Sequence, residues 1–330
     1  MPGTLGGVAL PPHVAQPVVY SIEARRQRSG KVNIAITGAS GLIGRRLIQL
    51  LASRGHSLRV LSRRGVADLP PEVRLSLWDP EKGEPAEDAL RDTDAVVHLA
   101  GENVAQRWTE DAKRRIRESR ELGTRRLVCA LARLPRRPSA LVCASAIGYY
   151  GSRGDEALTE SSAPGAGFLP GVCMAWEREA VAAEALGIRV VRVRIGILLD
   201  PRGGALQRML PPFRLGLGGR LGDGRQWMSW IHRDDLAELF RFAIEKPIRG
   251  ALNAVAPNPI PNAGLTRELA RAVHRPAIFP VPKFALRLMF GEMSEVLLAS
   301  QKVAPNAAAS AGFVFRFPHL GAALVDLLGG

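Results

Sequence analysis

The sequence predicts an α/β fold, a doubly wound parallel sheet followed by a small, mainly helical C-terminal subdomain. Three observations carry that prediction. From Lys31 onward, short apolar runs alternate with helix-period segments, the order that lays parallel strands between two layers of helices. A glycine turn separates the first such strand from the first helix, in VNIAITGASGLIG at Val32–Gly44. After Arg194 the rhythm gives way to glycine-rich and proline-rich stretches, which read as loops and shorter elements.

In order, strand-like runs lie at 32–37, 57–62, 73–77, 94–99, 139–144 and 188–194, with helical patterns at 42–54, 109–133 and 171–186. A helix around Ala205–Phe213 leads into the loop RLGLGGRLGDGRQ, the aromatic strand WMSWIH, and a helix from about Asp234 to Glu245. Pro257, Pro259, Pro261, Pro276, Pro280 and Pro282 punctuate the chain beyond that helix. The chain therefore divides into residues 1–30, 31–274 and 275–330, with substrate-side insertions at about 201–230. The last segment is expected to seal one side of the site. Residues 1–30 are rich in Pro and Gly and lack apolar periodicity; they read as a disordered extension or an overlong start.

Composition narrows the function classes. At 330 residues and 46% hydrophobic, the chain can bury one large core plus an appendage. It has no run of about 18 apolar residues, so no transmembrane helix is expected. Cys129, Cys143 and Cys173 show no paired spacing, which indicates a reduced, cytoplasmic protein without a structural metal. The net charge is +14, yet only six of the 45 basic residues are lysine and aromatics make up 5%. Scattered arginines without interleaved aromatics argue against a nucleic-acid footprint. A small molecule is the expected partner, and nothing in the sequence fixes an oligomeric state.

The strand, glycine turn and helix at Thr37, Gly38, Ala39, Ser40, Gly41, Leu42, Ile43 and Gly44 match a Rossmann-type dinucleotide site. Gly38 suits the tight turn, Gly41 the approach of a pyrophosphate, and Gly44 close packing of helix on strand. The helix N-terminus offers free N–H groups and partial positive charge to phosphates. The second strand ends in Ser62, Arg63 and Arg64, where an NAD site usually has a carboxylate for the ribose 2′-hydroxyl. A guanidinium there instead accepts a 2′-phosphate, so NADP(H) is the expected cofactor. The fourth strand ends in His98, Leu99, Ala100 and Gly101, small residues that let a ribose or nicotinamide approach the backbone. His98 itself reads as a packed strand residue. Asp79 reads either as an adenine contact or as a turn residue.

With these residues the chain resembles the extended, atypical short-chain dehydrogenase/reductase superfamily. Further residues carrying the resemblance are Ser145–Gly151 (SAIGYYG), Arg194–Leu198 (RIGIL) and Trp230–Ala237 (WIHRDDLA). LAGENV, RWTEDAK, AWE, MLPPFRLGLGG, SQKVAP and GFVFRFP make it similar to the epimerase-like subgroup with a short C-terminal domain of uncharacterised function. The resemblance implies hydride chemistry on a small polar substrate such as a nucleotide sugar. It also implies a Tyr with a Lys four residues later, the lysine holding the nicotinamide ribose. Aligned on Glu177, those positions fall at Leu169 and Cys173, and neither can serve.

The remaining catalytic candidates are Ser145, at the end of the fifth strand, and Tyr149 in the loop beyond it. Either they act on a substrate, with Tyr149 needing a nearby cation, or they satisfy loop hydrogen bonds. The resemblance also suggests cofactor contacts from Arg115 and Arg120 on the helix after the fourth strand, and from Leu198. An exposed basic helix face is the competing reading for Arg115. Arg214, Arg225, Trp230 and His232 surround the glycine-rich loop and suit an anionic or ring-bearing substrate, unless the tryptophan is core. Asp234 and Asp235 read as caps of the adjoining helix. Two functions remain open: an NADP(H)-dependent oxidoreductase or epimerase-like enzyme, and a catalytically silent NADP(H)-binding regulatory or scaffold protein.

Overall fold

The computed structural model describes residues 31–67 and 69–329, and the expectation for residues 1–30 lies outside them. Along the chain, β1 (Asn33–Thr37), α1 (Leu42–Ser53), β2 (Ser57–Ser62), β3 (Arg74–Leu77), β4 (Ala95–His98), α2 (Glu110–Arg133) and β5 (Ala140–Ala146) come first. Next come β6 (Ala157–Leu158), α3 (Phe168–Val181), β7 (Arg189–Ile195), β8 (Ile197–Asp200), α4 (Gly204–Arg214), β9 (Trp227–Met228), β10 (Trp230–His232) and α5 (Arg233–Glu245). The remainder holds β11 (Gly250–Ala254), β12 (Ile260–Pro261), α6 (Asn262–Ala272), α7 (Lys283–Phe290), α8 (Ser294–Leu298), β13 (Lys302–Val303), α9 (Asn306–Ser310) and α10 (Leu320–Leu328).

The sheet has seven parallel strands in the order β11-β7-β5-β4-β1-β2-β3. Its direction of growth reverses at β1, between β4 and β2, and ligands of such sheets bind outside the carboxyl ends at that switch. The central strands lie between helical layers, which is why their sequences read as unbroken apolar runs. All four residues of β4 and the first six of β5 are buried. Ile34, Ile36, Val60, Val96, Leu141 and Val191 form the heart of the core with Leu47, Ile48 and Leu51 of α1. Helix α1 packs on α5, where the Arg46 Nε donates to Asp234 Oδ1 at 2.6 Å. Helix α2 starts where the sequence supplies a cap, the Thr109 hydroxyl accepting from the Ala112 amide.

Two expectations change beyond Ile195. The single strand WMSWIH is broken at Ser229 into β9, antiparallel to β12, and β10, parallel to β8. The buried Ser229 hydroxyl donates to the Gln301 carbonyl, so a long-range bond replaces local strand continuity. A second core joins Leu206, Leu210 and Phe213 of α4, Leu265 and Leu269 of α6, and Leu320, Leu324 and Leu327 of α10. It draws on residues from both sides of position 275. No helix among the described residues is long and apolar enough to cross a membrane.

Candidate nucleotide and catalytic site

The β1–α1 turn is shaped by what lies against it. Gly38 has φ +70°, and a Cβ there would stand 2.6 Å from the Leu99 carbonyl carbon and 2.8 Å from the Ala100 nitrogen. The end of β4 therefore crosses too close for any side chain. A Cβ on Gly44 would lie 2.5 Å from the Gly38 carbonyl oxygen, so α1 can begin this tightly only with glycine. Gly41 occupies the N-cap position, with no capping side chain and no acidic residue in the first turn. An uncapped helix end without a carboxylate leaves its N–H groups free to face an anion.

Thr37 ties this turn to β4. Its Oγ1 accepts from the Leu99 and Ala100 amides at 3.1 and 3.2 Å and lies 2.7 Å from His98 Nδ1. With both lone pairs engaged, the hydroxyl proton goes to Nδ1, leaving Nε2–H to donate to Thr124 Oγ1 at 3.0 Å. Burial, with the nearby Arg120 charge adding to it, pushes the His98 pKa down to about 4. The ring is neutral and fully bonded, a packed strand residue as its sequence indicates.

At the end of β2, Arg63 and Arg64 are exposed. Arg63 stands 3.6 Å from the equally exposed Glu81, and no ion pair engages Arg64 among the described residues. Asp79 accepts from the Glu81 amide and lies 3.8 Å from Lys82, a turn residue. Past β4, the Arg120 guanidinium sits against Gly101, 3.1 Å from where a Cβ would be, and 5.0 Å from the Trp176 ring centre. Its Nη1 donates to the Ile116 carbonyl of its own helix. Burial lowers its pKa, and no carboxylate within the described residues pairs with it. Arg115 is exposed. Leu198 lies within β8, half-buried against the main core.

The end of β5 carries a buried polar cluster. Ser145 is 2% exposed and its Oγ donates to Glu177 Oε1 at 2.7 Å. Glu177, on α3, also accepts two bonds from Arg194 at 2.8 and 2.9 Å and one from Arg192 at 3.0 Å. Arg194 donates further to the Tyr150 hydroxyl, which donates to Asn253 Oδ1. Burial opposes the Arg194 charge, but the Glu177 bonds outweigh it and raise the pKa. The guanidinium lies 3.5 Å from the centre of the Tyr149 ring. Tyr149 thus lies with its ring face on a cation.

Leu169 and Cys173 both pack toward Gly148, their nearest atoms 3.5 and 3.9 Å from a Cβ built there. Burial and the Glu177 charge push the Cys173 thiol up to about 11, which leaves it protonated and inert. Tyr149, Ser145 and these two residues therefore converge on one loop, without a lysine.

Two substrate expectations are corrected. Trp230 is fully buried in the second core and its Nε1 donates to the Asn258 carbonyl. His232 is also fully buried, stacked on Phe317 with ring centres 3.8 Å apart, and its Nδ1 accepts from the Asp234 amide. Neither has surface left for a ligand. His232 is thus the cap of α5, not Asp234 or Asp235. Asp235 instead accepts from the Arg316 and Phe317 amides at 2.9 Å, tying the C-terminal segment to α5. Arg214 is the last residue of α4 and Arg225 lies in the loop before β9, and both are exposed.

Glu177 and Arg194 are the residues of this cluster whose pairing residue-by-residue reading passed over. Their signal is arginine in RVVRVRI, a strand with a buried interior, together with Glu177 on the apolar face of the helix FLPGVCMAWEREAV, where it is the buried one of two acids. Buried charges of opposite sign must find one another.

A family profile described as NAD dependent epimerase/dehydratase matches residues 34–255, and the domain of unknown function DUF1731 matches residues 281–327. Epimerase family protein Mb2239 of Mycobacterium bovis is 42% identical over 294 residues, which span 88% of this chain and 96% of the relative. The chloroplastic SDR39U1 homolog of Arabidopsis thaliana is 38% identical over 311 residues, 92% of this chain and 89% of that one. The crystal structure of human epimerase family protein SDR39U1, isoform 2, with NADPH aligns at a TM-score of 0.81 and 34% identity, over 91% of this chain and 100% of that chain. By sequence and by fold, the chain belongs to the NAD dependent epimerase/dehydratase family and carries a C-terminal DUF1731 domain.

Proposed function

We propose that the protein binds NADP(H) and catalyses hydride exchange with a small polar substrate, with a nucleotide sugar as one such class. One observation carries the reading. The glycine turn opens an uncapped, acid-free helix end while Arg63 and Arg64, rather than a carboxylate, close β2. A phosphate chain fits at α1, and a 2′-phosphate fits the arginines. The NADPH in the human relative's structure supports the same choice. Thr37 through Gly44 would hold the pyrophosphate, Ser62, Arg63 and Arg64 the adenosine end, and Leu99, Ala100, Gly101, Arg115, Arg120 and Leu198 the rest.

Bound NADPH supplies a hydride, and the chain's own residues must place the substrate and move the proton. The Ser145 proton is committed to Glu177, so its oxygen can only accept from a substrate hydroxyl. The Tyr149 hydroxyl makes no hydrogen bond among the described residues and is the group left to exchange a proton. Arg214, at the end of α4, and Arg225, in the loop before β9, would meet an anionic part of the substrate. A screen of carbonyl compounds and nucleotide sugars, monitored by NADPH absorbance, tests this. Turnover lost in both Ser145→Ala and Tyr149→Phe is the expected result; turnover unchanged in both contradicts the assigned roles.

A second reading rests on Leu169 and Cys173, which fill the superfamily's tyrosine and lysine positions with inert side chains. It holds that the protein binds NADP(H) as a sensor or scaffold. Tight NADPH binding with a silent screen favours it.

A further inference from the structure

The turn that carries Tyr149 is closed by a side chain from the other end of the chain. Ile147–Tyr150 form a single 3-10 turn, succeeded by Gly151 at φ +65° and an irregular stretch to β6. The Gln301 side-chain amide spends both of its N–H groups on it, donating to the Ile147 carbonyl at 2.8 Å and the Gly151 carbonyl at 3.0 Å. One nitrogen thus brackets the Tyr149 turn, from its first carbonyl to that of the residue succeeding it. Ser300 continues the clasp. Its Oγ donates to the Gly154 carbonyl at 2.6 Å, its amide donates to Ser152 Oγ, and its carbonyl accepts from the Arg153 amide. Lys302 and Val303 then pair in parallel with Ala157 and Leu158.

The clasp is anchored on its far side as well. The Gln301 amide donates to the Trp227 carbonyl, the Gln301 carbonyl accepts from Ser229 Oγ, and the Val303 amide donates to the same oxygen. None of these bonds touches the β1–α1 turn. An irregular turn loses backbone entropy at every residue it fixes, and here the fixing partners come from residues 300–303. From these contacts we infer that segment Ser300–Val303 is a strap that completes the catalytic site. In it Gln301 is a positioning residue, setting the place of Tyr149, and this is a role for the C-terminal domain. The role of Tyr149 at the cofactor rests on the proposed function; the grip of the strap on the turn does not.

The requirement at 301 is specific. Two donors on one atom at that reach are supplied by glutamine; asparagine is one methylene shorter, and methionine has the shape without the donors. The test compares the full-length parent with Gln301→Met, with Lys302→Met as a control in the same strap. Lys302 contributes an ammonium 4.4 Å above the Trp227 ring, and its side chain makes no hydrogen bond to Ile147–Gly151. Hydrogen exchange is measured at the amides of Gly151, Arg153 and Glu156, each hydrogen-bonded within the loop or to the strap. Gln301→Met is expected to speed their exchange about thirtyfold, the effect of losing two hydrogen bonds of ordinary strength, while protection in β1, β4 and α1 and the NADPH dissociation constant stay at parental values. The emission of bound NADPH should shift in Gln301→Met as it does in Tyr149→Phe, and stay parental in Lys302→Met. Unchanged exchange at the three amides, or protection lost equally across the whole sheet, overturns the strap. A loosened turn with no emission change in Tyr149→Phe contradicts instead the placement of Tyr149 at the nicotinamide.

Discussion

Arg194 lays its guanidinium 3.5 Å from the centre of the Tyr149 ring while its nitrogens grip both carboxylate oxygens of Glu177. The stacking joins a structural ion pair to the catalytic candidate. Removing the arginine leaves Glu177 buried with only Arg192 and Ser145 as partners. Arg194→Met is therefore expected to cost about 3–5 kcal/mol of stability, the penalty of stripping one partner from a buried pair. Urea unfolding checks it; a change within about 0.5 kcal/mol, the range of surface substitutions, contradicts it.

Tyr149→Phe keeps the ring and therefore the stacking. Its expected signature is stability within about 0.5 kcal/mol of the parent, combined with loss of whatever turnover the parent shows. A large fall in melting temperature would mean that the hydroxyl is structural.

His98 sets an acid limit on the fold. Its folded pKa of about 4 lies below the ordinary 6.5 because burial, and then the Arg120 charge, disfavour the imidazolium. The unfolded chain binds the extra proton first, so stability falls as pH drops from 6.5 through 4 and is full above 6.5. The total effect is about 3 kcal/mol at 1.36 kcal/mol per pKa unit. His98→Gln, which can still donate to Thr124, should flatten that part of the melting-temperature profile. A profile as steep as the parent's would show that other groups govern acid unfolding.

Gly44→Ala probes the turn. The new methyl would lie 2.5 Å from the Gly38 carbonyl oxygen, a backbone atom with no rotamer to yield. Moving α1 to relieve that contact is expected to cost about 1–3 kcal/mol, as overpacking does, and to weaken NADPH binding along with it. Unaltered binding would separate the turn from the cofactor.

Much of this architecture is legible in the sequence because its causes are local. Strands β1 and β4 read as apolar runs since both their faces are covered, and Gly38–Gly44 announces itself by spacing. Arg63 and Arg64 are visible as the residues just past β2. What escapes is set by partners far along the chain. Trp230 and His232 invite a substrate role beside a glycine-rich loop, but Phe317, 85 residues past His232, stacks on its ring and closes the core. Ser145 looks like a free hydroxyl until Glu177 and Arg194 fold onto it. Gln301 lies in the SQKVAP motif, but the motif does not reveal its role, since that lies in two carbonyls about 150 residues earlier.

The central claim is that Arg63 selects the phosphorylated cofactor. Calorimetric titration of the parent and of Arg63→Ala with NADPH and NADH tests it most directly. The parent is expected to bind NADPH more tightly than NADH. Arg63→Ala should lose on the order of 1.5–3 kcal/mol for NADPH alone, the worth of a charged hydrogen bond. A parent that prefers NADH, or an Arg63→Ala that weakens both cofactors equally, would contradict the account.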